Sequence, residues 1–225
     1  MTPTTKFKAA LSGLALIAAA VLPINPANAA TAVPQTVSAE AVAAAKPVPT
    51  LGYSTQTVKT LNIDFQYQQT GYWCGPAATR IALSARISPP SQQQLANELP
   101  TTTNGTDWIG QVTRVLNNHL GTGWYETKEM PNDPPTQAQR DLLWRDVVLD
   151  INNNYPIVAN IVAPASNHPP GYPNYTIYHY FTVIGYDDSD QTVLIADPAG
   201  FAPTATYWLT FNQLATLIPP KGYSA

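Results

Sequence analysis

The chain contains one cysteine, Cys74, and it is followed directly by Gly75 and Pro76. Proline is favoured in the first turn of an α-helix, and apolar residues from Ala77 onward repeat at helical spacing. Cys74 is therefore predicted at or next to the N-cap of a helix, where unpaired backbone N–H groups and the helix macrodipole favour negative charge. Such a position lowers the pKa of a thiol, so Cys74 is a candidate thiolate nucleophile.

A thiolate nucleophile needs a residue that carries protons, and the chain has three histidines. His119 falls in the last turn of a predicted helix, where a cation suits the dipole, and we interpret it as structural. His168 lies in the proline-rich loop ASNHPPGYPN, in which no neighbouring residue orients it. His179 lies within the apolar, strand-like stretch IYHYFTVIGYD, where an imidazole without a partner would be costly. His179 is the predicted general base.

Asp197 is the predicted partner of His179. If residues 177–187 and 192–197 form a hairpin that turns at DDSD, residues whose numbers sum to about 376 or 377 face each other. His179 and Asp197 sum to 376, and directly opposed residues share one face of a sheet, so the carboxylate would hold the imidazole ring. The alternative is local, because an aspartate before a proline, here Pro198, is a common turn starter.

Acyl transfer through a thiolate also needs hydrogen-bond donors for the developing oxyanion. The backbone N–H of Cys74 at the helix start is one candidate. The side-chain amide of Gln68 is the second, and its neighbour Gln69 is equally compatible with the spacing.

These residues together resemble the C39-like cysteine peptidases of the papain-like superfamily. The resemblance rests on Gln68, on Cys74 with the Gly and Pro after it, on His179 within HYFTVIGYD and on Asp197 with the Pro after it, and it extends over about 160 residues. It implies that Cys74 is the nucleophile, His179 the general base and then acid, Asp197 the orienting residue and Gln68 an oxyanion donor. Trp73 precedes the cysteine, as in the stand-alone C39-like group, whereas transporter-fused members have Asp there.

The elements that must position these residues divide the chain in two. Residues 61–68 alternate between apolar and polar and predict a half-buried strand. Four helices are predicted, the first from Pro76, the second capped by Ser91, the third closed by Gly121 and the fourth opened by Thr136. Four later stretches read as strands: residues 157–163, 177–187, 192–197 and 205–210. The predicted class is α+β, papain-like by resemblance, with a helical N-terminal half packed against an antiparallel β-sheet and a cleft between them.

The N-terminal residues predict export. Lys6 and Lys8 precede an uncharged apolar run at residues 9–22, and Ala27, Asn28 and Ala29 fit a cleavage site, so residues 1–29 read as a signal peptide. The run is shorter than the roughly 17 to 25 residues of a spanning helix, although an uncleaved anchor is the alternative. Residues 30–57 are interpreted as an Ala/Pro/Thr-rich tether or short propeptide, and residues 58–225 as the C39-like domain. We expect a secreted protein without a stable membrane anchor.

Composition limits the classes of partner that we expect this protein to bind. Charged residues make up 11% of the chain and the net charge is −3, which argues against nucleic acid as a partner. No metal or cofactor motif is present, so we expect neither, and we expect a monomer that acts on a peptide or protein substrate. The predicted function is a secreted cysteine peptidase that works through a Cys-His-Asp triad and an acyl-enzyme. The alternatives are an amidase or cell-wall peptide hydrolase with the same residues, and a non-catalytic papain-like binding module.

Overall fold

The computed structural model describes residues 58–225, so the predicted signal peptide and tether lie outside the described residues. The described part contains five helices and seven strands. The helices are α1 (Cys74–Ser84), α2 (Gln92–Glu98), α3 (Ile109–Leu120), α4 (Gln137–Asn152) and α5 (Phe211–Leu217). The strands are β1 (Val58–Thr60), β2 (Thr127–Glu129), β3 (Ile157–Ala163), β4 (Ile177–Asp187), β5 (Thr192–Ala196), β6 (Thr206–Thr210) and β7 (Gly222–Ser224). The predicted α+β class is confirmed.

The seven strands form one sheet in which neighbouring strands are antiparallel. Six follow the order β2-β7-β3-β4-β5-β6, and the seventh, β1, pairs with β4. The long strand β4 lies at its centre. Along one edge β4 pairs first with β3 and then, near its C-terminal end, with β1, while β5 pairs along the other edge. The start of β4, which carries His179, is therefore held firmly beside β3.

Helices cover both faces of this sheet, which explains why β3 and β4 are buried almost continuously instead of alternating. Ile157, Ala159 and Ile161 of β3 pack on the side of α4 and α5. Val158 of β3 and Tyr180 of β4 pack on the other side, in a core with α1, α2 and α3. Helix α1 is consequently buried around most of its circumference, and its N-terminus is fixed against the sheet.

The predicted helix boundaries are confirmed where a cap defines them. The side chain of Ser91 accepts a hydrogen bond from the Gln94 backbone at the start of α2. Thr136 forms a capping box with Gln139 at the start of α4. Gly121 ends α3 in the left-handed conformation that glycine adopts without a steric cost.

The strand predicted at residues 61–68 is wrong. The strand in this region is β1, which ends at Thr60, and the residues after it form an extended segment without a partner strand. A backbone hydrogen bond from Leu61 to Ile184 anchors the segment, and Ile63 and Phe65 pack beside α1 as the alternation predicts. Tyr67, predicted on the same inward face, is instead 51% exposed, although its backbone carbonyl accepts a hydrogen bond from the Gln92 side chain.

Within residues 58–225 we find no helix with both the length and the apolar character needed to cross a bilayer.

Candidate active site

Cys74 is the first residue of α1, with Trp73 at the N-cap. The prediction of a thiol at the helix N-terminus is confirmed, and Pro76 lies in the same first turn. The residue is only 9% exposed, yet it lines an open cavity of about 170 Å³ together with His179. The cavity therefore borders Cys74 although most of the side chain is buried.

Gly75 has a specific steric role beside the cysteine. A Cβ at this position would lie 2.2 Å from Oγ1 of Thr106, which is far inside van der Waals contact. Thr106 belongs to the loop before α3, and its hydroxyl is also 2.8 Å from that of Thr101. Glycine at position 75 therefore lets this loop lie directly against the first turn of α1 and form a wall of the cavity.

His179 and Asp197 lie in contact. The Nε2–H group of His179 donates to Oδ1 of Asp197 at 2.8 Å, and both side chains are almost fully buried. Because Nε2 is occupied, Nδ1 is the ring nitrogen left to face the Cys74 thiol, which lines the same cavity. The structure thus brings together three of the four residues singled out from the sequence.

The predicted register of the β4–β5 hairpin is nevertheless wrong by two positions. Val183 lies opposite Ile195, so the opposed numbers sum to 378 near the site, and a β-bulge between Val183 and Gly185 changes the register toward the turn. Continued past the end of β5, this register puts Asp197 opposite Phe181 and diagonal to His179. A shift of two positions keeps side chains on the same face, whereas a shift of one would have separated them.

Opposing effects set the charge state of the site. Burial alone would raise the pKa of the Cys74 thiol, but the hydrogen bond and positive charge of His179 outweigh burial, so this pKa lies below its ordinary value. Burial alone would lower the pKa of His179, but the charge and hydrogen bond of Asp197, with those of Cys74, raise it. Both shifts favour a thiolate and an imidazolium over a neutral thiol and imidazole.

Asp197 has more partners than the sequence indicated. The hydroxyls of Tyr172 and Tyr207 donate to its Oδ2 at 2.8 and 2.6 Å, and the Ala199 backbone N–H donates to Oδ1. Burial would raise the pKa of Asp197, but the charge and hydrogen bonds of His179, with the bond from Tyr207, hold it below its usual range. The carboxylate is fixed in both charge and orientation.

Neither tyrosine hydroxyl was predicted as a partner of Asp197. Tyr207 had a signal in the sequence, because Tyr207 of β6 opposes Ile195 of β5 and is thus the diagonal neighbour of Asp197. A hairpin register for residues 192–210 would have found it. Tyr172 lies in a loop and had no such signal.

Gln68 is half-buried and lies beside the segment that carries Asp197, since its backbone N–H donates to the carbonyl of Pro198 at 2.9 Å. Its side-chain Nε2 donates to the carbonyl of Thr70 at 3.0 Å, which leaves the second N–H of the amide without a partner in the described part of the chain. Gln69, the alternative, is exposed. The structure favours Gln68 over Gln69 as the fixed amide.

The other two histidines lie outside this group. Nε2 of His119 is 2.6 Å from a carboxylate oxygen of Glu98, which ties α3 to α2 and agrees with the predicted structural role. Nε2 of His168 contacts the backbone carbonyl of Tyr175. Across residues 58–225, no three His, Cys, Asp or Glu side chains are grouped so as to hold a metal ion.

We compared the chain with protein families, curated proteins and solved structures. A family model described as "Peptidase_C39 like family" matches residues 60–216. No curated protein matches the chain.

Three solved structures are similar at low identity. The peptidase domain of Streptococcus ComA is 17% identical, with 73% of this chain and 98% of that chain covered and a TM-score of 0.47. A C39-like peptidase from Bacillus anthracis is 15% identical, with 74% and 96% covered and a TM-score of 0.48. The cysteine protease CMS1MS2 of Carica candamarcensis is 12% identical, with 75% and 96% covered and a TM-score of 0.48.

Proposed function

The chain belongs to the Peptidase_C39 like family, and we propose that it is a papain-like cysteine peptidase that hydrolyses peptide bonds with Cys74, His179 and Asp197 as a catalytic triad. One observation carries the proposal: a buried imidazole is hydrogen-bonded to a carboxylate at 2.8 Å and lines one cavity with a thiol at a helix N-terminus. Such an arrangement activates a sulfur nucleophile and supplies a proton to the leaving group.

The reaction begins with attack of the Cys74 thiolate on the carbonyl carbon of the scissile amide. The resulting tetrahedral intermediate collapses when the His179 imidazolium protonates the leaving amine, and a thioester acyl-enzyme remains. His179, now neutral, removes a proton from water, which attacks the thioester and regenerates the thiolate. Asp197 holds the ring in one tautomer and stabilises its positive charge in both half-reactions.

We assign the oxyanion site to two N–H donors. As the first helical residue, Cys74 has a backbone N–H without an acceptor inside the helix. The side-chain amide of Gln68 supplies the second donor through the N–H that Thr70 does not use. Both are held by the backbone around α1, so neither has to reorganise when charge develops on the oxygen.

Alkylation of Cys74 across pH tests the charge state on which this proposal depends. We expect the rate with iodoacetamide, measured by intact mass, to change by less than about tenfold between pH 6 and pH 9. An ordinary thiol with a pKa near 8.5 loses about tenfold in rate for each pH unit below that value. The same protein in concentrated urea is the matched control, because unfolding removes the His179 contact from the same cysteine. If the alkylation rate of the folded protein changed with pH as it does in urea, Cys74 would not be a thiolate at neutral pH.

We further propose that the protein is exported. Support comes from Lys6 and Lys8, the apolar run at residues 9–22 and the small residues before position 30. Expression of the full chain in a secreting host is expected to yield protein in the medium whose N-terminus, read by mass spectrometry, lies near Ala30. Retention of the whole chain in the cells, with Met1 still present, would refute export.

A further inference from the structure

The cavity beside Cys74 and His179 has an unusual lining. It has a volume of about 170 Å³, enough for one amino-acid side chain, and its walls come from the loop before α3 and from β3 and β4. None of the described residues around it has an aliphatic side chain. Side-chain cavities in proteins are mostly apolar, so this composition indicates a polar occupant.

Two buried polar residues on neighbouring strands, Asn160 of β3 and Tyr180 of β4, line this cavity as a directly opposed pair. They are 5% and 3% exposed, and Nδ2 of Asn160 donates to the Tyr180 hydroxyl at 2.9 Å. The hydroxyl proton must therefore point away from Asn160. Within the described part of the chain that proton has no acceptor, and Oδ1 of Asn160 has no donor.

The charges at the cavity oppose each other. Asp107 and Lys221 both line it, and neither forms an ion pair with any of residues 58–225. Cys74 and His179 add a further pair of opposite charge, so a side chain of either charge would meet both like and unlike charges. A neutral polar group avoids the repulsion and still has both donors and acceptors available.

We propose that this cavity is a specificity site for the carboxamide side chain of Asn or Gln, presented by a substrate residue next to the scissile bond. A carboxamide oxygen accepts from the Tyr180 hydroxyl, while its N–H₂ group donates to Oδ1 of Asn160. An aliphatic side chain that filled the cavity would leave the Tyr180 hydroxyl and Oδ1 of Asn160 without hydrogen-bond partners. Sites that lose such hydrogen bonds discriminate against substrates of this kind. The inference rests on the proposed function, because a specificity site has meaning only beside a working nucleophile.

A position-scanned set of blocked hexapeptides tests the proposal. Each position carries Gln, Asn, Leu, Glu or Lys in turn, and cleavage is followed by mass spectrometry. At one position next to the cut we expect Gln or Asn to exceed Leu, Glu and Lys by roughly 10- to 100-fold in kcat/KM. In the Asn160→Leu variant, kcat/KM for Gln or Asn peptides is expected to exceed that for Leu peptides by less than about threefold. The milder Tyr180→Phe is expected to reduce this preference in part. The matched control Asn97→Leu, on the exposed face of α2, is expected to keep it.

Binding to the Cys74→Ala protein separates failure of this inference from failure of the proposed function. The dissociation constants of the best Gln peptide and its Leu analogue are measured by calorimetry, which requires no turnover. If the wild type cleaves peptides without a preference for carboxamides, or with a preference for Leu, the proposed specificity site is wrong. The proposed peptidase function is then still supported. If nothing is cleaved, the peptidase proposal fails, and binding still decides the cavity: at least tenfold tighter Gln binding supports it, and equal binding overturns it.

Discussion

Cys74→Ala is expected to abolish peptide cleavage, with a loss on the order of 10⁵- to 10⁶-fold in kcat, as for other nucleophiles in catalytic triads. Without the sulfur no acyl-enzyme forms, and only the oxyanion donors and substrate binding remain. The measurement is a comparison of the wild type and the variant on a diverse peptide mixture, with products identified by mass spectrometry. The substitution adds no atoms to a first helical turn that is already tightly packed, so the fold should be retained.

Circular dichroism and the thermal midpoint provide the folding control for this variant. Equal cleavage by wild type and variant would mean that another group, or a contaminant, performs the reaction. A wild type whose Cys74 alkylates readily below pH 8 but which cuts no peptide would instead favour the amidase or cell-wall hydrolase alternative.

His179→Ala is expected to impair both turnover and the thiolate. Turnover should fall by at least about 10⁴-fold, because the proton donor for the leaving amine is lost. The thiol keeps its burial, which raises its pKa, and loses the hydrogen bond and charge of His179, which lower it, so the pKa of Cys74 should rise. The alkylation rate at pH 6 should consequently fall by about 100-fold or more.

The direction in which turnover changes with pH follows from the charges of Cys74 and His179. Wild-type turnover should fall at acidic pH, where the thiolate takes up a proton, and at alkaline pH, where the imidazolium loses one. Because the first pKa is lowered and the second raised, the plateau between them should include neutral pH.

Gln68→Ala is the matched comparison for His179→Ala. It removes a proposed oxyanion donor without altering the ion pair, so turnover should fall by about 10²- to 10³-fold while alkylation at pH 6 stays near the wild-type rate. If both variants changed alkylation to the same degree, His179 would not be the residue that ionises the thiol. If Gln68→Ala left turnover unchanged, the oxyanion donor would have to be sought elsewhere.

Local signals in the sequence account for much of the fold. Ser91 and Thr136 start helices because their side chains accept from the backbone N–H groups of Gln94 and Gln139. Gly121 ends α3 through its own backbone N–H, so short-range patterns were sufficient for all three. The strands β1, β2 and β7 have three residues each and exist only because a neighbour pairs with them. Helix α5 begins at once after β6, and its Thr210 cap lay within the predicted strand.

The geometry of the site could be predicted only in part from the sequence. Side-chain alternation predicted that His179 and Asp197 share a face, and this holds for any even shift of register. The β-bulge between Val183 and Gly185 changes the offset by one position, and the glycine within this strand is a residue type typical of bulges that the prediction did not use. The lone cysteine pointed to the nucleophile, whereas the contact of Tyr172 with Asp197 depends on how a loop folds back over the sheet.

The same hairpin offers a place for engineering. His179 is near one end of β4, and the turn at residues 188–191 begins at the other end, nine residues further along a strand that rises about 3.3 Å per residue. The two are thus about 30 Å apart along the strand. A purification tag, a fluorophore or a surface linker inserted between Asp188 and Asp190 would anchor the enzyme to a bead or a sensor with its cleft facing away from the attachment point.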